Sequence, residues 1–168
     1  MLEILKIKEE MLEKVASLYN KVWSVRGTSF LERLQKHMNY EGFTGFVIVS
    51  EDGDVIGYSY GYTSLPEQYY HGLLSNEFNS EDYQKWLTDC FEFVELAVHP
   101  GYRKQGHANQ LITKLLDGVG HKTAILTTQQ NNFSARKLYE SLHWVLYKET
   151  FYPGDKSNPF VIMVKKLR

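Results

Sequence analysis

The chain has 168 residues, of which 43% are hydrophobic and 23% charged, and its formal net charge is −1. These values are ordinary for a soluble globular protein, and the length suits a single domain over residues 1–168 with a sizeable core. A net charge this close to zero excludes a general electrostatic attraction for nucleic acid or for an anionic membrane.

Nothing in the sequence suggests export or membrane insertion. Cys90 is the only cysteine, so no internal disulfide can form. The residues after Met1 alternate between apolar and charged, unlike a signal peptide, and no apolar run approaches the ~20 residues that a membrane-spanning helix needs. We therefore expect a cytoplasmic protein.

Hydrophobic spacing and turn signals define the elements of the first 62 residues. Apolar residues recur at helical spacing in two segments and follow strand patterns in three. Thr28 or Ser29 can cap the second helix, and the segment 51–54 is typical of a hairpin turn. The predicted elements are, in order, a strand at 2–4, a helix near 10–23, a helix that ends before Gly42, and strands at 43–50 and 55–62.

The last of these strands contains Gly57-Tyr58-Ser59-Tyr60-Gly61, which matches the G-x-S-x-G motif of serine hydrolases. That motif needs a strand, a sharp turn and then a helix. Here Ser59 lies in the middle of a strand pattern, with no helical pattern after it. We interpret the segment as a glycine-containing strand rather than a nucleophile site.

Residues 64–90 show the least regular pattern, with one predicted helix near 80–88. The segment is acidic, and a solvated loop explains this most simply. The alternative is a lid over an acceptor site that attracts a cationic amine. The acidic residues concerned are Glu67, Glu77, Glu81, Asp82 and Asp89.

The stretch from Phe91 to Ala108 carries the strongest functional signal. An apolar strand pattern is broken at Pro100-Gly101, and a basic turn with Arg103 and Lys104 leads into a helix. The first amides of a helix have no acceptor within it and lie at the positive end of its dipole, so this order predicts an anion site. Gly106 allows the backbone to approach a ligand closely. Neither the Walker G-x-x-x-x-G-K-(S/T) motif nor the dinucleotide G-x-G-x-x-G motif occurs, so a different phosphate-containing ligand is expected.

The remaining residues predict an alternation of helix and strand. Gly118 and Gly120 mark the end of a helix, and Asn131 or Asn132 caps another whose face includes Ala135, Leu138, Tyr139 and Leu142. The predicted strands are 124–128, 144–151 and 160–164, and the last two pair antiparallel across Pro153-Gly154-Asp155.

Two of these segments resemble motifs of the GNAT acetyltransferases. Arg103-Lys104-Gln105-Gly106-His107-Ala108, which follows Val98, resembles the family's (Q/R)-x-x-G-x-(G/A) loop. Residues 132–144 resemble its N-x-x-A-x-x-x-Y-x-x-x-G-(F/Y/W) segment, and both occur in the family's order over about residues 91–145. His143 departs from the usual glycine, and at that position it would have to adopt a left-handed conformation.

The resemblance implies an α/β (α+β) fold with a mixed, mostly antiparallel sheet of about seven strands, a central splayed parallel pair, and about four flanking helices. It implies acetyl-CoA as cosubstrate, with the pyrophosphate on the loop amides, the pantetheine arm between the fourth and fifth strands, and the first two helices beside the acceptor. The implied cofactor-binding residues are Leu96, Ala97, Val98, Arg103, Lys104, Gln105, Gly106, His107, Ala108, Asn132, Ala135 and Tyr139.

The resemblance also implies catalytic roles. Tyr139 would be the general acid that protonates the departing thiolate, and the alternative is a core tyrosine whose hydroxyl is satisfied at the edge. Glu92 is the first choice for the base and Glu95 the second, because strand alternation puts them on opposite faces unless a bulge intervenes. The alternative for Glu92 is an ion pair with a basic neighbour.

We therefore expect an acetyl-CoA-dependent N-acetyltransferase that acts by direct attack of a primary amine of a small molecule or peptide. The alternative is a non-catalytic acyl-CoA-binding or sensing module of the same fold, and a nucleotide hydrolase is disfavoured because the Walker lysine is missing. The histidines and Cys90 show no metal-ligand spacing, so no metal is expected. The sequence leaves open the acceptor's identity and the oligomeric state, a homodimer included.

Overall fold

The structure is a computed structural model that describes residues 1–168. Its seven strands form one mixed sheet in the order β1-β2-β3-β4-β5-β7-β6, in which β4 and β5 are parallel. The strands are β1 (Glu3–Lys6), β2 (Thr44–Val49), β3 (Val55–Thr63), β4 (Cys90–Val98), β5 (Thr123–Gln129), β6 (Val145–Phe151) and β7 (Phe160–Lys166). The helices are α1 (Leu12–Trp23), α2 (Ser29–His37), α3 (Tyr69–Ser75), α4 (Ser80–Trp86), α5 (His107–Asp117) and α6 (Phe133–Ser141). The predicted fold class is confirmed, with six helices rather than about four.

The helix that sequence patterns did not predict is α3. It begins with two tyrosines and His71 and contains Gly72, all weak helix formers, so its stability comes from tertiary contacts. His71 is buried, and its ring nitrogens hydrogen-bond to the Ser64 hydroxyl at 2.8 Å and to the Tyr83 hydroxyl at 2.7 Å. These contacts join α3 to Ser64, which directly follows β3, and to α4.

The acidic segment 64–90 is accordingly not an irregular loop, since it contains both α3 and α4. Two of its acidic side chains are paired with β6. The Tyr147 hydroxyl donates to Asp82 Oδ2 at 2.7 Å, and Lys148 Nζ lies 2.6 Å from Glu77 Oε1. This part of the acidic charge is therefore bound within the protein rather than solvated.

The chain divides into two compact units, the first of which comprises Met1–Tyr62 and Val94–Val119. In it β1, β2 and β3 pair antiparallel, and α1 and α2 bury their apolar faces in one hydrophobic cluster. The cluster contains Val15, Leu34, Val47, Tyr58 and Tyr60, all fully buried. Ser59 is buried within β3 and donates to the carbonyl of Leu111 in α5 at 3.3 Å. This confirms that the G-x-S-x-G segment is a strand.

The second unit comprises Thr63–Phe93 and Gly120–Arg168. Its parallel register joins Cys90 to Thr123 and Glu92 to Ile125, and β5 pairs antiparallel with β7 over its whole length. The strand β6 pairs with β7 through two register shifts, one between Leu146 and Lys148 and one between Lys148 and Phe151. A single apolar cluster packs these elements, with Leu74, Leu87, Cys90, Ile125 and Ile162 at its centre.

No helix of the structure has the length and the apolar character that crossing a bilayer would require. No group of three or more His, Cys, Asp or Glu side chains is arranged to hold a metal ion.

Candidate active site

The predicted anion loop lies in the first unit and has the backbone conformation of an anion-binding turn. After β4, one turn of 3-10 helix at Pro100–Tyr102 leads to Lys104, whose φ is +61°, and to Gly106, whose φ is +84°. The first amide bonded within α5 is that of Gln110, which donates to the Gly106 carbonyl at 3.1 Å. The three amides before it, those of residues 107–109, therefore have no acceptor within the helix. A turn followed by free helix amides can hold phosphate oxygens.

Gly106 is needed here for its backbone conformation. A Cβ built at this position would have no neighbour within 4 Å, so the protein itself leaves room for a side chain. A φ of +84° is strained for any L-residue with a Cβ, and most strained for a β-branched one. A substitution would therefore act by changing the shape of the turn.

The side chains of this loop are partly engaged within the protein. Arg103 Nε donates to the carbonyl of Val98 at 3.3 Å, which fixes the start of the turn against the end of β4. His107 Nδ1 lies 3.4 Å from Gln110 Oε1, while its Nε2 is buried without a hydrogen-bond partner. Ala97 is buried in the cluster of α1 and α2. Lys104 remains available to place positive charge beside the free amides.

The second unit contains the other cofactor motif, at the start of α6. Asn132 caps the helix, since its Oδ1 accepts a hydrogen bond from the amide of Ala135 at 3.2 Å. This bond uses the side-chain oxygen of Asn132. The side-chain nitrogen, Nδ2, is left to donate a hydrogen bond to a ligand.

The far end of α6 has a well-defined capping structure. His143 has φ +72°, and its amide donates to the Glu140 carbonyl while the amide of Trp144 donates to the Tyr139 carbonyl, both at 3.0 Å. These two bonds form a Schellman motif with His143 in the left-handed position. The resemblance to the family had implied this conformation.

Tyr139 lies on the buried face of α6 and is 6% exposed. Its ring lies 6.1 Å from that of Phe93 and 6.1 Å from that of Trp144, both in edge-to-face geometry. The packing fixes the orientation of the phenol ring, which a proton donor needs and which a core tyrosine would also have.

Glu92 lies in an apolar setting in β4. Its side chain is 5% exposed, and its Oε1 has no hydrogen-bond partner. Burial raises the pKa of this carboxyl to about 8, because the apolar surroundings disfavour the charged form. Glu92 forms no ion pair, so the alternative that it pairs with a basic neighbour is wrong.

That ion pair is instead made by Glu95. Arg33 Nη2 from α2 lies 3.2 Å from Glu95 Oε2, and the carboxylate side chain is 17% exposed. Burial raises the pKa of Glu95 to about 7, and the charge of Arg33 partly opposes that rise. The Arg33 guanidinium also lies over the rings of Phe30 and Tyr19, at 5.2 and 5.6 Å from their centroids. Sequence analysis did not find Arg33, because no motif links residues 33 and 95.

A groove of about 450 Å³ in the first unit is lined by none of the predicted site residues. Its wall contains two lysines, Lys14 and Lys21, and the residues His99 and Tyr102 that precede the anion loop.

The sequence profile of the acetyltransferase (GNAT) family matches residues 12–144. The chain belongs to this family. Among its relatives is the ribosomal protein bS18-alanine N-acetyltransferase of Haemophilus ducreyi, which is 31% identical over 84 residues. That match covers 45% of this chain and 58% of the relative, so the chain spans less than two thirds of that protein's length.

Solved structures of the same fold cover almost the whole chain. NAA60 of Arabidopsis thaliana in complex with acetyl-CoA has a TM-score of 0.74 at 18% identity, with 99% of this chain and 98% of that chain covered. The spermidine N-acetyltransferase of Vibrio cholerae, in complex with CoA and spermine, has a TM-score of 0.68 at 18% identity, with 99% and 95% covered. At this identity the likeness establishes the fold alone. Family membership and the named relative support an acetyltransferase.

Proposed function

We propose that this chain is an acetyl-CoA-dependent N-acetyltransferase that moves an acetyl group to a primary amine by direct attack. The observation that carries the proposal is the anion loop, in which two left-handed residues, Lys104 and Gly106, lead into three amides without helical acceptors. An acyl-CoA is a phosphate-rich substrate that such a turn can hold, and family membership supports it.

In this proposal several groups hold acetyl-CoA. The amides of residues 103–108 take the pyrophosphate, with Arg103 and Lys104 adding positive charge. The backbone of residues 96–98 and the side-chain nitrogen of Asn132 hydrogen-bond to the amide groups of the pantetheine arm. Ala135, a small residue on the first turn of α6, leaves room for that arm.

Glu92 acts as the base. An amine is mostly protonated in neutral water, and its nitrogen can attack only after losing a proton. A carboxyl with a pKa of about 8 is closer in proton affinity to an ammonium group than an ordinary glutamate is, so it accepts this proton more readily. Glu95 is the second candidate for this role.

Tyr139 acts as the acid. The amine nitrogen bonds to the thioester carbonyl carbon. As the resulting adduct collapses, the carbon–sulfur bond breaks with its electron pair on sulfur, and the nitrogen releases its second proton to solvent to give the neutral amide. The Tyr139 hydroxyl gives its proton to this thiolate and is later reprotonated from solvent. The products are the acetylated amine and coenzyme A.

The acceptor is proposed to be the primary amine of a small molecule or a peptide. The similar proteins include one named for alanine of a ribosomal protein and one named for spermidine. A panel that contains peptides with a free N-terminal alanine and polyamines therefore covers both kinds of acceptor. Release of the coenzyme A thiol measures turnover on each.

Tyr139→Phe tests the mechanism, because it removes one oxygen and keeps the ring in its contacts with Phe93 and Trp144. Loss of a general acid should lower kcat by ~10²–10⁴-fold, with little change in the KM for acetyl-CoA. Tyr69→Phe, at an exposed position on α3, is the matched control and should leave kcat unchanged.

The packing of Tyr139 among aromatic rings is equally compatible with the alternative, an acyl-CoA-binding module without turnover. Tight coenzyme A binding without thiol release on any acceptor would support that module. If Tyr139→Phe has a normal kcat and chemistry is rate-limiting, the chain is still an acetyltransferase, but Tyr139 is not its general acid.

A further inference from the structure

The edge strand β6 contains a residue in an unusual backbone conformation. Thr150 has φ +59°, in the left-handed region that β-branched residues rarely adopt. It lies where the register of β6 against β7 shifts, between Lys148 and Phe151. A side chain this poorly suited to the conformation stays there only if its surroundings hold it.

Gln130 supplies that hold. Its side-chain oxygen accepts from the Thr150 amide at 2.7 Å and lies 3.2 Å from the Thr150 hydroxyl. The backbone of Gln130 makes two further bonds, one from its amide to the Pro159 carbonyl at 2.9 Å and one from Arg136 Nη1 to its carbonyl at 2.8 Å. Arg136 Nη2 lies 3.4 Å from Glu149 Oε1, next to Thr150. We call Gln130, Arg136, Glu149 and Thr150 the β6 clamp.

The β6 clamp lies against the start of α6. Gln130 is two residues before Asn132, the cap of α6, and Arg136 lies on the same helix one turn before Tyr139. The first turns of α6 are thus bonded to a strained bulge in a neighbouring strand. Asn132 caps this nine-residue helix and Tyr139 lies within it, so a shift of its first turn would be expected to move both side chains.

We propose that Gln130 is a positioning residue for the acetyl transfer, which it serves by holding Thr150 in the left-handed conformation and thereby fixing α6. The expected effect on the rate of acetyl transfer rests on the proposed function. In this proposal Gln130 contacts neither substrate and acts only through Thr150. A displacement of about 1 Å at reacting groups can lower a rate by ~10²-fold, so a modest shift of α6 is enough to be measured.

The test uses the full chain with Gln130→Ala, Thr150→Gly and the double variant. Gln130→Ala removes the acceptor, so Thr150 is expected to relax toward negative φ, and kcat should fall by about tenfold while the KM for the acceptor changes little. Thr150→Gly should keep the activity of the parent, because glycine adopts positive φ without strain. The double variant should recover most of the lost kcat, because glycine can remain left-handed without Gln130. Gln130→Glu keeps an acceptor oxygen and should stay close to the parent.

Hydrogen exchange of the α6 amides gives a readout that does not depend on turnover. Gln130→Ala should speed exchange at residues 136–139, and the double variant should restore the slower rate. If the parent protein released no thiol, the proposed function would fail, and these exchange rates would still decide whether the clamp fixes α6. Unchanged exchange in Gln130→Ala would overturn the inference. A double variant as slow in turnover as Gln130→Ala would also overturn it, since Gln130 would then act directly and not through Thr150.

Discussion

Glu92 and Glu95 illustrate how two carboxyl groups three residues apart in one strand acquire different properties. Glu92 is buried without a partner, whereas Glu95 is held by Arg33 at 3.2 Å. Desolvation raises the pKa of both, and only for Glu95 does a positive charge offset part of the rise. Their titration therefore allows the two candidate bases to be told apart.

Glu92 should make folding stability depend on pH. Its folded pKa of about 8 lies above the ordinary value of 4.5, so between these values the folded state keeps a proton that the unfolded state has lost. The contribution of Glu92 to stability is then greatest below pH 4.5 and falls as pH rises toward 8. Glu92→Gln removes the part of the dependence that belongs to Glu92 and should raise the free energy of unfolding at pH 7 by about 3 kcal/mol. Denaturant unfolding at pH 5 and pH 8 measures it, with exposed Glu13→Gln as the control that should change nothing.

The pH dependence of the rate should identify the base. A base is active when deprotonated, so kcat/KM should rise with pH and reach half of its plateau near pH 8 if Glu92 serves, or near pH 7 if Glu95 does. Arg33→Ala removes the charge that lowers the pKa of Glu95, and it should move the profile to higher pH only in the second case. We expect a profile whose midpoint lies near pH 8 and does not move in Arg33→Ala.

At the scale of elements, α6 is a helix closed at both ends by identifiable bonds. Asn132 caps its start, and the Schellman motif with His143 closes its end. The ring contact between Tyr139 and Trp144 is the apolar contact that commonly accompanies such a motif. The motif thus sets the position of Trp144 as well as ending the helix.

His143→Gly should stabilise the protein, because a left-handed conformation is strained for histidine and free of strain for glycine. Part of the gain is lost to the greater freedom of glycine in the unfolded chain. A net gain of about 0.5–1 kcal/mol corresponds to a rise in Tm of roughly 2 °C for a chain of this length. Thermal unfolding measures this, with His143→Ala, which keeps a Cβ at the positive φ, as the comparison that should show no such gain. A lower Tm would mean that the histidine side chain makes a contact that matters more than the strain.

The elements that local patterns predicted are those whose stability depends on local periodicity. The amphipathic α1 and the hairpin of β2 and β3 were predictable because apolar spacing and a turn signal coincide. The helix α3 was not, since buried His71 and its two hydrogen bonds hold it against weak intrinsic preference. The pairing of Arg33 with Glu95 was equally invisible, because 62 residues separate the partners and no pattern connects them.

At the scale of the whole molecule, coenzyme A should act as a stabilising ligand. A ligand that binds only the folded state raises Tm by mass action. Gly106→Val should abolish this rise, because valine strongly disfavours a φ of +84°, while the Tm without ligand should change little if the turn relaxes in solvent. A Gly106→Val protein that is stabilised by coenzyme A as much as the parent would show that the loop does not hold the pyrophosphate.

Of the two edge strands of the sheet, one is short and the other is irregular. At one side β1 has four residues, and at the other β6 shifts register against β7 twice. An exposed row of unpaired amides and carbonyls is a template for adding a strand from another molecule, and long, flat edges promote aggregation. A four-residue edge strand offers few hydrogen-bonding groups to an incoming strand. Two bulges in the other edge strand misalign its amides and carbonyls with those of an incoming strand. The irregular edge at Thr150 therefore also disfavours edge-to-edge aggregation, at a sheet boundary where the apolar side chains of Val145 and Leu146 are exposed.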